Sequence, residues 1–306
     1  MKRLIATGER ARPVEFAEDA QPVPAADEAL VRVEAFSVNR GETFLLENPR
    51  PDLRPGKDVA GLVVRAAADG SGPGVGMRVV GHPPCGGWAE YVAVPTHSLA
   101  VLPPAIGSTE AAALPLAGLT ALRMLRTAGA VAGRRLLLTG ASGGVGHYLT
   151  ELAAAAGAEI TVVTASPERG RRLAELGADV VHDLGETRGP FDVVLESTGG
   201  TALPVALSKL AAGGMLIWFG QASRTPATLD FFDFFNGPEG AVIRHFHYAG
   251  APYGPDLDTL VTLVGSGRLH PEIGRVADWA DTATVLVDLR ERRVRGKAVL
   301  TVGGPR

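Results

Sequence analysis

Gly140, Gly143, Gly144 and Gly146 crowd the stretch RLLLTGASGGVGHYLTELAAAAGAE, Arg135–Glu159. A backbone without Cβ atoms lets a phosphate reach its N–H groups, and a helix starting near Val145 would aim its free N–H groups and positive dipole end at that anion. Ser142, Gly143, Gly144 and Val145 are therefore candidate phosphate contacts. The flanking residues supply what must hold such a turn. Leu136–Thr139 is a short apolar run suited to a strand buried on both faces, and Val145, Leu149, Leu152, Ala153 and Ala156 recur at helical spacing until Gly157 stops them. Glu159–Thr164, a β-branched run, completes a βαβ unit within the roughly 30 residues of a dinucleotide-binding fingerprint. A purely structural glycine turn is the alternative, since the chain has 39 glycines.

The end of the second strand chooses between dinucleotides. An Asp or Glu there would accept from a ribose 2′-hydroxyl, but this strand ends in Thr164, Ala165 and Ser166. A 2′-phosphate would meet no repulsion and would find Ser166, Arg169 and Arg171, so NADPH is expected over NADH. In the plainer reading, Ser166 with Pro167 caps a helix and the arginines form its solvated face. The two readings are compatible.

Composition narrows the class. The 306 residues allow two domains with real cores at 46% hydrophobic content, and a net charge of -3 gives no reason for nucleic-acid or membrane binding. Cys85 is the only cysteine, which excludes an intrachain disulfide and a multi-cysteine zinc site. The N-terminus, MKRLIATGERARP, lacks the apolar core of a signal peptide, so a cytoplasmic enzyme is expected.

The chain changes texture along its length. Met1–Ala6, Ala29–Ala35, Val59–Ala66, Met77–Val80 and Trp88–Val94 read as short strands between Pro and Gly turns, an all-β module. After a helix at Leu116–Thr127 and the βαβ unit, Arg169–Leu176, Val180–His182, Asp192–Glu196, Leu203–Leu210 and Met215–Phe219 alternate helix and strand in a doubly wound pattern. Helices at Asp256–Ser266 and around Thr282–Glu291 precede a last strand, Lys297–Val302.

SVNRGE (Ser37–Glu42), PGKDVAGLV (Pro55–Val63), GGWAEYVAVP (Gly86–Pro95), AAALPLAGLTAL (Ala111–Leu122), the glycine turn, ASPERGRRLAELGAD (Ala165–Asp179), FDVVLESTGG (Phe191–Gly200) and GKAVLTV (Gly296–Val302) stand in one order over nearly the whole chain. In that order they resemble the medium-chain dehydrogenase/reductase superfamily, and within it the zinc-independent quinone oxidoreductases. The resemblance implies an α/β fold, a Rossmann doubly wound parallel sheet plus a GroES-like β-rich catalytic domain. It puts the catalytic domain at 1–115 and 251–306, the NADP-binding domain at 116–250, and a cofactor in the cleft. Relatives commonly dimerise through the Rossmann sheet, so a homodimer is expected, with Met215–Phe219 and Val242–Phe246 supplying the edge.

Zinc-dependent relatives bind metal with a Cys near SVNRGE, a His where this chain has Lys57, and a Cys where it has Leu116. None is present, so no metal is expected. Without a Lewis acid the natural reaction is reductive: a quinone or enone takes hydride from NADPH, and the developing oxygen anion needs only hydrogen-bond donors and a proton from water or a nearby acid.

The resemblance implies catalytic positions at Asn39, Thr120 and Lys297. For each a plainer role exists: a loop Asn satisfying its own turn, a helix-start cap and a lone surface lysine. Ser197, Thr198 and Gly199 lie at the carboxyl end of a strand, where cofactors sit in such sheets. Phe219, Gly220 and Ser223 follow the next strand and are expected beside the nicotinamide ribose, unless they form only a strand-exit turn. Tyr248 and His245 are candidate proton donors.

Two departures from the family pattern stand out. DLGETRGP, between His182 and Phe191, replaces a helix with an extended loop, and FLLENPRPDLRPG lacks the tyrosine of many enoyl-thioester reductases. Two alternatives stay open: an enoyl or enone reductase of a biosynthetic pathway, and a non-catalytic NADPH-binding regulatory or structural protein.

Overall fold

A computed structural model describes residues 1–235 and 237–303. The chain forms two compact units, Met1–Leu119 with the chain from Ala249 on, and Thr120–Tyr248.

The first unit is built on strands β1 (Lys2–Ala6), β2 (Val14–Glu18) and β3 (Glu28–Val38), helix α1 (Arg40–Leu45), and strands β4 (Asp58–Arg65), β5 (Arg78–Gly81), β6 (Tyr91–Pro95) and β7 (Leu99–Val101). Helices α2 (Ser108–Ala112) and α3 (Pro115–Ala128) follow, the unit boundary falling inside α3. Trp88–Glu90, expected to open a strand, instead runs beside β1: Leu4 N–H donates to Trp88 O at 2.9 Å and Glu90 N–H to Lys2 O at 3.1 Å. β6 therefore starts only at Tyr91. β2 (VEFAE) is not among the expected strands, and most of it is half or fully exposed.

The second unit comprises β8 (Arg135–Leu138), α4 (Gly144–Ala155), β9 (Glu159–Val163), α5 (Pro167–Glu175), β10 (Asp179–Val181), β11 (Phe191–Glu196), α6 (Ala202–Leu207), β12 (Leu210–Trp218) and β13 (Val242–His245). All six strands are parallel, in the order β10-β9-β8-β11-β12-β13. Strand order thus reverses between β8 and β11, and a ligand crevice is expected outside the carboxyl ends at that point. Leu136, Leu137 and Leu138 are fully buried, as an apolar run in a central parallel strand requires. The crossover from β10 to β11 contains a single 3-10 turn, Leu184–Glu186, capped by Asp183 accepting from Gly185 N–H, where an extended loop was expected.

The chain then returns to the first unit with α7 (Gly254–Gly265), β14 (Ile273–Asp278), α8 (Thr282–Arg290) and β15 (Lys297–Thr301). The main sheet there runs β14-β15-β3-β4-β5-β7, with β6 also on β3. Phe36, Val59, Trp88 and Leu300 centre its core, the Phe36 and Trp88 rings stacked at 5.8 Å. Register matters here. β15 pairs antiparallel with β3 through Ala298↔Val38, and β3 with β4 through Ser37↔Asp58, so Lys297, Asn39, Ser37 and Asp58 gather at one end of the sheet. Among the described residues no helix is long and apolar enough to cross a membrane.

Candidate functional site

In the second unit the glycine turn leaves β8 and enters α4 at Gly144, one residue before the expected start, with Gly143 as its N-cap. A Cβ on Gly143 would have only Gly140 O near it, at 3.6 Å, so this backbone is open on the side a phosphate would approach. Gly146 is different: its Cβ would lie 2.1 Å from Ala141 O, so the missing side chain lets the helix pack on the turn. Ser142 and Val145 are half-buried. The buried stripe of α4 is broader than the apolar spacing implied, and includes His147, Tyr148, Thr150 and Glu151, while Ala156 is exposed.

At the end of β9, Thr164 is buried and its Oγ1 lies 3.2 Å from both Ser166 O and His182 Nδ1. Ser166 occupies the N-cap position of α5 with Pro167 after it, yet its hydroxyl makes no cap bond to the backbone. It serves the Glu168 side chain instead, which holds that exposed carboxyl below its ordinary value, aided by Arg171 and His182. A carboxylate thus stands beside Ser166 after all, on α5 and not on the strand. Arg169 is half-buried beside it.

The loops leaving β11 and β12 are laced together around Glu196, which local sequence did not single out. Its buried carboxylate accepts from Thr139 Oγ1 at 3.0 Å, Thr198 N–H at 2.7 Å and Gly199 N–H at 3.0 Å. Burial raises this carboxyl above its ordinary value, and those hydrogen bonds oppose the rise. Ser197 closes onto Thr139, donating through Oγ to its carbonyl at 3.0 Å. Ala222 N–H donates to Ser197 O and Ser223 N–H to Thr198 O, so Ser197–Gly199 and Phe219–Ser223 form one rim at the carboxyl ends of β11 and β12. Phe219 and Gly220 are half-buried in that rim. Thr120 lies inside α3, buried to 7% exposure, and is not the helix-start cap weighed above. His245 is exposed on the outermost strand, and half-buried Tyr248 accepts from Arg123 through its carbonyl.

In the first unit the sheet register assembles a buried polar cluster. Lys297 is 3% exposed, not a surface lysine, and its Nζ donates to Asn39 Oδ1 at 2.6 Å, Asp58 Oδ2 at 3.2 Å and Val38 O at 3.4 Å. Asn39 Nδ2 donates to Asp58 Oδ2 at 2.7 Å and to Glu42 Oε2 at 3.4 Å, and its backbone N–H to the same Glu42 oxygen at 2.8 Å. Asp58 also accepts from Ser37 Oγ at 2.7 Å and Leu116 N–H at 2.9 Å, and His82 Nδ1 stands 3.5 Å from its Oδ1. Both amide hydrogens of Asn39 and all three of Lys297 therefore point into the cluster.

Charge in this cluster is sharply sorted. Burial would raise the Asp58 carboxyl, but Lys297 and His82 outweigh it and hold it well below the ordinary carboxylate range. Glu42 goes the other way: burial first, then Asp58, push it up to about 8, against the Asn39 N–H and Lys297. Its Oε1 is buried with no hydrogen-bond partner among the described residues. Asp58, Glu42 and His82 were not singled out from the sequence.

The donors do not fit a zinc ion. Asp58 is committed to an ammonium and three other donors, Lys57 and Leu116 occupy the positions where zinc-dependent relatives carry ligands, and Cys85 is exposed. Among the described residues no group of three or more His, Cys, Asp or Glu side chains converges as a metal site.

A family model described as "Zinc-binding dehydrogenase" matches residues 144–262, and one described as "Alcohol dehydrogenase GroES-like domain" matches residues 25–104. The phthioceranic/hydroxyphthioceranic acid synthase of Mycobacterium bovis is 31% identical over 240 residues, 72% of this chain; the chain spans 11% of that relative's length. Among solved structures, mycobacterial Rv1454c complexed with NADPH is 25% identical with a TM-score of 0.89, over 98% of this chain and 100% of that one. A quinone oxidoreductase of Pseudomonas syringae pv. tomato DC3000 is 25% identical with a TM-score of 0.86, over 98% and 99%. An NAD-dependent alcohol dehydrogenase is 26% identical with a TM-score of 0.88, over 99% and 100%.

Proposed function

Because this chain belongs to the medium-chain dehydrogenase/reductase superfamily, we propose that it is a zinc-independent, NADPH-dependent reductase that passes hydride to a quinone or another electron-poor conjugated carbonyl. The observation that carries this reading is the glycine turn at the point where the parallel sheet reverses, where a Cβ on Gly143 would meet nothing nearer than Gly140 O at 3.6 Å. Ser142, Gly143, Gly144 and Val145 would hold the pyrophosphate there. Thr164, Ser166 and Arg169 would hold the 2′-phosphate, and Ser197, Thr198, Gly199, Phe219, Gly220 and Ser223, with Thr120, the nicotinamide end. When bound, the reduced nicotinamide supplies the hydride. NADPH-bound Rv1454c supports the choice of cofactor, and the Pseudomonas quinone oxidoreductase supports the choice of acceptor.

The residues of the first unit would act by positioning. With every donor hydrogen spent inside the cluster, Asn39 and Lys297 are assigned to fixing the backbone that follows β3, not to polarising the acceptor. The proton that completes reduction would come from water. A second reading, an enoyl reductase of a biosynthetic pathway, has its support in the Mycobacterium bovis synthase, of which this chain matches one segment.

The deciding experiment is NADPH and NADH consumption across quinones, α,β-unsaturated ketones and enoyl thioesters, with and without a chelator. Quinone reduction with NADPH, indifferent to chelation, is the expected result. Silent quinones with turnover of thioesters would replace the first reading by the second, and tight NADPH binding without turnover of any acceptor would leave a binding protein. The same reading includes a cytoplasmic homodimer joined along β13, the exposed outer strand of the parallel sheet; sedimentation of the purified chain tests it.

A further inference from the structure

The end of β9 has a neighbour that no motif announced. His182 follows β10, which lies parallel beside β9, and its exposed ring is held edge-on by Thr164: Nδ1 is 3.2 Å from Thr164 Oγ1 and 3.4 Å from Thr164 O. Assigning the hydrogen to Nδ1, which lets it donate to the Thr164 carbonyl, leaves the opposite edge, Nε2, without a partner among the described residues. The same Thr164 hydroxyl lies 3.2 Å from Ser166 O, so one side chain ties the imidazole to the N-terminus of α5. α5 sits tightly there, since a Cβ on Gly170 would meet Val180 at 2.5 Å and Thr164 Oγ1 at 3.2 Å. The ring is also near enough to Glu168 to lower its carboxyl, together with Ser166 and Arg171.

We propose that His182 is a specificity-determining contact for the 2′-phosphate, closing from the end of β10 the pocket that Ser166 and Arg169 open from α5. The assignment rests on the NADPH reading above. A ring already oriented through Nδ1 gives up little freedom on binding. Glu168 is the opposing charge. Its carboxylate occupies the Ser166 hydroxyl when the pocket is empty and must turn outward when a phosphate enters, which its exposure permits.

The test isolates the adenosine end by titrating 2′,5′-ADP and 5′-AMP calorimetrically into the full chain and its His182→Ala and His182→Arg variants. Loss of one charge-assisted hydrogen bond in His182→Ala should weaken 2′,5′-ADP by roughly tenfold, leave 5′-AMP within about twofold, and be largely restored by His182→Arg. Equal weakening of both nucleotides would mean that the ring only braces Thr164, and no weakening would mean that it touches nothing; either overturns the proposal. A wild-type chain that binds both nucleotides equally would overturn the NADPH reading along with it. A chain that prefers 2′,5′-ADP and keeps that preference in His182→Ala would overturn the His182 assignment alone.

Discussion

Lys297 Nζ lies 2.6 Å from Asn39 Oδ1 although 258 residues separate them in the chain. The bond closes a loop of buried polar groups in which each member satisfies another: lysine to asparagine, asparagine to Asp58, Asp58 back to lysine. Because the ammonium and the Asp58 carboxylate are both excluded from water, removing one leaves the other uncompensated. Lys297→Met should therefore cost roughly 3–5 kcal/mol of stability, and adding Asp58→Asn should recover much of it. Urea titrations of the two variants check this; an unchanged midpoint in Lys297→Met would refute the buried pair.

Glu42 predicts a second, separable effect. The folded protein keeps a proton on this carboxyl up to a pH of about 8, whereas the unfolded chain releases it near 4.5, so stability is fully present below 4.5 and falls as pH rises through 8. Across that window the loss is on the order of 5 kcal/mol. Asp58 has the opposite sign: its contribution is present above its unfolded value of 3.8 and is lost as pH falls below it. Glu42→Gln keeps an acceptor for the Asn39 N–H and removes the titration. Its thermal midpoint should change less than wild type's between pH 4.5 and 8; parallel curves would count against the assignment.

The two glycines of the turn should fail differently. Gly146→Ala drives a Cβ into the Ala141 carbonyl, and strain of this kind costs typically 1–3 kcal/mol or more, so thermal stability drops. Gly143 has an ordinary φ of -82° and open space, so Gly143→Ala should fold normally; if the proposed cofactor site is right, the new methyl would crowd the pyrophosphate and weaken NADPH. Melting curves paired with NADPH titration separate the two.

Removing Ser166 and Arg169 together should raise the NADPH dissociation constant far more than that of NADH. Each lost charge-assisted hydrogen bond is worth about 1.5–3 kcal/mol, and only the phosphorylated ribose would make them. Equal effects on the two cofactors would remove the 2′-phosphate from this pocket.

The strand and helix around the glycine turn were legible locally. The glycine spacing, the Leu136–Leu138 run and the helical repeat after Val145 needed no distant partner, since turn geometry and burial on both faces of a parallel strand are written within a few residues. Elements whose burial is slight carry little local mark: β2 leaves all but Val14 half or fully exposed, no residue of β14 (IGRVAD) is buried, and Trp88–Glu90 runs beside β1 instead of opening β6. Glu196, Asp58, Glu42 and His82 carry no local mark, because a carboxylate or imidazole that will be buried looks, in sequence, like one that will stay in water.

The sequence by itself therefore determined the glycine turn between a buried strand and a helix, because both are specified by neighbours in the chain. Only the tertiary structure decided what the remaining polar residues do. Antiparallel pairing of β15 with β3 and of β3 with β4 brings Lys297, Asn39 and Asp58 to one end of a sheet, out of water, where each must satisfy the others. Parallel pairing of β9 with β10 likewise sets His182 against Thr164. Register between distant strands, and the desolvation that follows from it, converts residue types that are individually uninformative into a fixed arrangement of charge.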